Sequence, residues 1–239
     1  MPKLALLGLN INLISELIMI VAIIIGTTIG AVISSRRDRK FNSRVLDSLA
    51  IIIMLVYLID LIMPIIIGKI YVERIPFTIA TVLTPLIIVS RFVRPFDEYK
   101  STVAMLAICS IFVYFLYPNP FLEEEAFRIR NLQVFNYLGL CFSYGIIAIA
   151  SGEVSFNIKK CYRTAIALLA IESWALILKY LFISVPGDLD NVRLLLPYLS
   201  STSNIIFPSI MLLIVSFLIC LVIFGIYYLA KLIANRHKK

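Results

Sequence analysis

Residues 11–44 read INLISELIMIVAIIIGTTIGAVISSRRDRKFNSR, a long apolar run closed by a dense group of Arg and Lys. A bilayer core about 30 Å thick needs roughly 20 mostly apolar residues for one helical crossing, and residues 11–35 supply that length. The charged flank follows the run, so this first helix reads as a retained anchor and not a cleaved signal. The same pattern recurs along the chain. It predicts helices at about 11–35, 45–70, 75–92, 101–117, 134–152, 161–183 and 205–230, separated by short charged segments. The expected fold is all-α: a polytopic seven-transmembrane-helix bundle, with residues 1–239 forming a single integral membrane domain.

Composition agrees with that pattern. Apolar residues make up 61% of the chain, charged residues 15%, and mean hydropathy is +0.99, far from the balance of a soluble domain. No polar interval is long enough for a soluble catalytic domain. A net charge of +8 would suggest nucleic acid in a soluble protein, but here the charges follow membrane topology, so membrane lipids are the expected partners and nucleic acid is not.

An odd number of crossings puts the termini on opposite sides, and the bias of Lys and Arg assigns the sides. Alternate segments hold Arg36, Arg37, Arg39, Lys40 and Arg44; Arg91, Arg94 and Lys100; Lys159, Lys160 and Arg163; and Lys231, Arg236, Lys238 and Lys239. The segments between them are acidic or mixed, as at Glu73 with Arg74, Glu123 to Glu125 with Arg128 and Arg130, and Asp188 and Asp190 with Arg193. The N-terminus is therefore expected outside, the C-terminus inside, and the chain in the plasma membrane. The basic run Arg36 to Arg44 also suits anionic lipid, although its place on the inner side is cause enough for its charge.

Several residues carry packing information. Ala22, Gly26, Gly30 and Ser34 recur every four residues, a small-residue stripe expected to face protein. Pro64 and Pro85 fall inside apolar runs, where each removes an amide donor and crowds the preceding turn. Tyr71, Tyr114, Tyr117, Tyr198, Tyr227 and Tyr228 lie near the expected helix ends, as interfacial aromatics do.

The ionisable residues at membrane depth are the informative ones, because a charge at a helix centre costs about 2.5–3.5 kcal/mol on insertion scales and so turns to the bundle interior or to a wet cavity. These are Glu16, Asp60, Glu172 and Lys179. Glu172 and Lys179 share a helix face roughly 10 Å apart along the axis, too far for a direct pair. The expected helix directions place Glu16, Asp60 and Lys179, with Arg74 and Arg193, in the outer half and Glu172 near the middle. One polar pocket open to the outside accounts for all six. The alternative has Glu16 and Lys179 reaching the interface on their long stems, with Asp60 hydrogen-bonded between helices.

Other chemistry is missing. The single histidine, His237, sits in the basic tail, which removes histidine-dependent nucleophiles and an intrabundle zinc site. No phosphate-binding fingerprint occurs, and Gly139, Gly145 and Gly152 stand in helical context. Cys109, Cys141, Cys161 and Cys220 lie in or beside apolar runs with no base nearby in sequence, so neither a disulfide framework nor a cysteine nucleophile is expected. No cofactor, metal site or catalytic residue is expected.

The helix order and lengths, with the segment Arg74-Ile-Pro-Phe-Thr-Ile-Ala-Thr81 opening the third helix, resemble the YwaF family of seven-helix integral membrane proteins. That resemblance covers roughly residues 45–230. It implies a proline followed by His and Cys near the start of the third helix; Pro76 is present, while Thr78 and Ala80 take the other two places. A His-Gly pair in the family's fifth helix falls on Tyr144 and Gly145, and an outer-loop Asn falls on Asn191. Eukaryotic relatives of the family are acyltransferases that depend on the Cys and His, so the departures at those positions argue against carrying that activity over.

The expected function is binding or transport of a small or lipid-like solute in an outward-facing polar pocket of Asp60, Arg74, Glu172 and Lys179, flanked by Glu16 and Arg193. The alternatives are a divergent membrane-bound lipid acyltransferase and a non-catalytic subunit that packs through the Ala22 to Ser34 stripe against a membrane-protein partner. Enzyme activity is the less favoured expectation.

Overall fold

The computed structural model describes residues 11–66, 79–116, 129–155 and 158–181, together with scattered positions between 214 and 228. Among the described residues there is no strand. The helices are α1 (Ile11–Ser35), α2 (Arg39–Ile66), α3 (Ile79–Phe92), α4 (Lys100–Leu116), α5 (Ile129–Ala150) and α6 (Ile158–Leu181). Helical residues occur again between 214 and 228, inside the seventh apolar run, whose remaining residues lie outside the described ones.

Several helix starts lie earlier than hydropathy places them, most of all α2, which begins at Arg39, and α5, which begins at Ile129. The Asn42 amide donates to the Asp38 carbonyl at 3.1 Å, which puts the basic stretch Arg39–Arg44 inside the first turns of α2. Hydropathy finds where a helix enters lipid, and not where its backbone bonds begin. A 3-10 turn, Arg94–Tyr99, links α3 to α4, with Pro95 near its start. Proline fits there because the first turn of a helix leaves its amides unbonded in any case.

α4 is the centre of the bundle. Every residue from Ser101 to Ser110 is buried, the signature of a helix enclosed on all sides. It packs against α3, α5 and α6, while α5 also packs on α1 and α2. The main core joins Leu46 and Ile53 of α2, Leu83 and Ile87 of α3, Leu106 of α4 and Tyr144 of α5.

Two glycines of α5 set its distance from its neighbours. A Cβ at Gly139 would lie 2.8 Å from the Ile23 side chain of α1, and one at Gly145 would lie 2.5 Å from the Ala104 carbonyl of α4. Hydroxyl pairs reinforce the same contacts. Thr27 of α1 meets Ser143 of α5 at 2.7 Å, and Thr84 of α3 meets Tyr137 of α5 at 2.7 Å. Gly152, at φ +71°, follows the last turn of α5 in the left-handed conformation that glycine adopts without a steric penalty. The chain then folds back so that the Val154 amide reaches the Ala148 carbonyl at 3.2 Å.

The small-residue stripe of α1 divides. Ser34 is buried and a Cβ at Gly30 would touch Ile147 of α5, but Ala22 and Gly26 are exposed, with open space around Gly26. The cause is geometric: each four-residue step turns about 40° further round a helix, so three steps carry the stripe through about 120°. The side of α1 that meets protein instead runs through Ile20, Ile23, Thr27, Gly30 and Ser34, at helical spacing.

The rest of α1 is apolar and uncovered, with Ile18, Ile24, Ile25, Ile29 and Ile33 all exposed, and Ile52, Leu55, Ile59 and Ile62 do the same on α2. Ile18–Ser35 and Arg39–Ile59 are long and apolar enough to cross a membrane, and only 11% and 22% of their apolar windows are buried. That low burial separates them from the core helix of a soluble protein. Exposed hydroxyls on α1 are satisfied within the helix: Thr28 donates to the Ile24 carbonyl at 2.7 Å and Ser35 to the Val32 carbonyl at 2.9 Å. In lipid no water is present to take those bonds.

Candidate functional site: an ionic knot at the basic end

The described ion pairs lie at the end that carries the α1–α2, α3–α4 and α5–α6 connections. Arg91, in the last turn of α3, has a side chain only 4% exposed and bonds through all three guanidinium nitrogens. Nε donates to Asp47 Oδ1 of α2 at 2.5 Å, Nη1 to Glu153 Oε1 just beyond α5, and Nη2 to the Ser43 carbonyl at 2.9 Å and the Ser43 hydroxyl at 2.8 Å. Ser43 and Asp47 stand four apart on α2 and so share one face. The planar fork of arginine matches such divergent acceptors, which the point charge of lysine cannot do.

Two carboxylates share one guanidinium, so the knot carries an excess negative charge. Asp47 and Glu153 remain 39% and 25% exposed, so water reaches both acids far more readily than the arginine side chain. Tyr144, the position where the resemblance places the family's His, is buried within electrostatic reach of all three charges. The arrangement holds no nucleophile. It can tie α2, α3 and α5 together and release them if the charges are perturbed.

The sequence-expected pocket stands differently. Glu16, Asp60, Glu172 and Lys179 occupy α1, α2 and α6 as expected, but their side chains lie outside what is described; Arg74 and Arg193 lie outside the described residues altogether. Glu16, Asp60 and Lys179 fall in the parts of their helices remote from the connections that carry the knot.

Arg91 reads in sequence as one more inner-side cation, and Asp47 and Glu153 as unremarked acids. The available signal was that these two acids stand among basic segments.

The four thiols are buried and unbridged. Cys109 and Cys161 pack with Cys220 and Met105 in a second apolar cluster, and Cys141 lies beside Tyr137. No family model matches the chain, and no curated protein or solved structure matches it either.

Proposed function

We propose that the chain is a seven-span plasma-membrane protein of the binding or transport class, N-terminus outside and C-terminus inside, closed at its inner end by the Arg91 knot. The single observation that carries the reading is the position of that knot. It ties three helices at the basic end, leaving the opposite end to Glu16, Asp60, Arg74, Glu172, Lys179 and Arg193 as an outward pocket for a small or lipid-like solute. The seven apolar runs of the sequence, whose order and lengths resemble the YwaF family, support seven spans. Acyl transfer is disfavoured because Tyr144, Thr78 and Ala80 stand where that chemistry needs other side chains.

Cysteine labelling tests the reading directly, because the buried native thiols give a low background. On intact cells a membrane-impermeant maleimide is expected to modify Glu124→Cys, Asp60→Cys and Glu172→Cys, and Lys40→Cys only after permeabilisation. Labelling of Glu124→Cys without Asp60→Cys and Glu172→Cys removes the pocket and leaves the topology standing. Labelling of Lys40→Cys on intact cells inverts the topology.

One observation favours a second reading, a non-catalytic subunit of a larger complex: Ala22 and Gly26 are exposed, and nothing approaches within 4 Å of a Cβ at Gly26. Gly26→Ile is therefore a clean probe, whereas a side chain at Gly30 would press on Ile147. Loss of a co-purifying protein from Gly26→Ile, with thermal stability unchanged, is the result expected of a subunit.

A further inference from the structure

The connection between α1 and α2 is only Arg36–Asp38, and its shape is fixed from within. The Arg36 amide donates to the Ile33 carbonyl at 3.2 Å and the Arg37 amide to the Ser34 carbonyl at 3.3 Å, which tightens the end of α1. Asn42, 2% exposed, reaches back across the turn: its Nδ2 donates to the Ser34 carbonyl at 2.9 Å and to the Arg37 carbonyl at 3.3 Å. The Ser34 carbonyl, in the last turn of α1, thus accepts from both the Arg37 amide and Asn42, and the Arg37 carbonyl, just past the helix, accepts from Asn42 as well. The elbow is thus held by a buried side chain, and its charged residues are free to point outward.

Arg36, Arg37, Arg39, Lys40 and Arg44 are all exposed, and among the described residues no ion pair joins any of them. Asp38 is the one acid among them. Phe41 is 40% exposed, with the Arg37 guanidinium 5.5 Å from its ring centroid. The uncovered apolar face of α1 ends at Ile33, directly beside this group. Exposed isoleucines, an exposed aromatic ring and a group of cations at one helix elbow are the side-chain types that suit the boundary between acyl chains and phosphates of a lipid monolayer.

We propose that the α1–α2 elbow is a preorganised site for the phosphate headgroup of an anionic phospholipid, with arginines on the phosphate and Phe41 at the acyl boundary. Arginine pairs with phosphate through two parallel hydrogen bonds, and a rigid elbow has less motion to lose on binding. The chain's own tail is a poor occupant, since Lys231, Arg236, Lys238 and Lys239 would meet like charge. Nucleic acid or an acidic protein would leave the adjoining isoleucines uncovered. The assignment rests on the proposed reading that this end of the bundle lies at the inner leaflet.

The test is native mass spectrometry of the full chain in detergent, titrated with phosphatidylglycerol or phosphatidylcholine. Phosphatidylglycerol is expected to bind at least about fivefold more tightly, and Arg37→Gln and Arg39→Gln each to weaken it about fivefold. Asn42→Ala removes no charge and is expected to erode the same preference, while exposed Ile25→Ala leaves it unchanged. Equal binding of the two lipids overturns the proposal, as does a preference that survives both arginine substitutions. A preference untouched by Asn42→Ala replaces the built site with diffuse charge, and tighter retention of an oligonucleotide than of phosphatidylglycerol also overturns it. Titration in detergent has no sidedness, so its outcome is separate from that of the labelling on cells.

Discussion

Arg91→Ala is expected to destabilise the detergent-solubilised protein by about 1.5–3 kcal/mol, the range for hydrogen bonds to charged groups and less than for a fully buried ion pair, because water reaches Asp47 and Glu153. The loss arises less from the absent attraction than from what remains. Asp47 and Glu153 would face each other across the vacated space with no cation between them, and the Ser43 carbonyl would lose its donor. Arg91→Lys keeps the charge but cannot span acceptors on α2 and beyond α5 together, so an intermediate loss is expected. The triple variant Arg91→Met, Asp47→Asn, Glu153→Gln should recover most of the stability, because replacing every member of a buried ionic group with neutral ones is often neutral or better. Thermal unfolding of the four proteins checks this order. Recovery of stability without recovery of function would assign the knot to gating.

Gly145→Ala is expected to cost about 3 kcal/mol, the upper end of the range for overpacking a core. The added carbon would stand 2.5 Å from the Ala104 carbonyl oxygen and 2.8 Å from Ile108 Cγ1. A carbonyl within α4 cannot step aside as a side chain can, so α4 and α5 must separate. Gly139→Ala makes the contrast: its neighbours are side-chain atoms of Ile23, Cδ1 at 2.8 Å and Cγ1 at 2.9 Å, which can shift more easily than a helix carbonyl, and alanine gains about 1 kcal/mol over glycine in a helix. The midpoint of thermal unfolding should therefore fall steeply for Gly145→Ala and little for Gly139→Ala. Equal effects at the two positions would count against the close α4–α5 approach.

The helices were legible in the sequence because lipid imposes a length and a composition on every crossing, and the α1 run from Ile11 to Ser35 displays both. Their mutual arrangement was less so. The stripe from Ala22 to Ser34 looked like a packing surface, yet among the described glycines the one whose added Cβ would press on another helix's backbone is Gly145, which only the family resemblance touched. A small residue signals that a neighbour could come close; it does not signal which helix provides the neighbour. The knot was hidden for a related reason. Arg91, Asp47 and Glu153 are far apart in sequence, and a positive-inside argument treats each inner-side arginine as interchangeable. Only the folding of three connections to one end separates Arg91 from Arg94.

The enclosure of α4 gives the bundle two unlike rules for tolerating change. On the uncovered face of α1, side-chain volume is nearly free, because lipid chains would flow around any bulk, whereas a charge would be heavily penalised. On α4 the ranking reverses: Ser101, Thr102 and Ser110 show that hydroxyls are accommodated there, while extra volume has no fluid to displace. Drift in the outer helices would therefore exchange one aliphatic residue for another, and new polar chemistry would arise most readily along the enclosed axis.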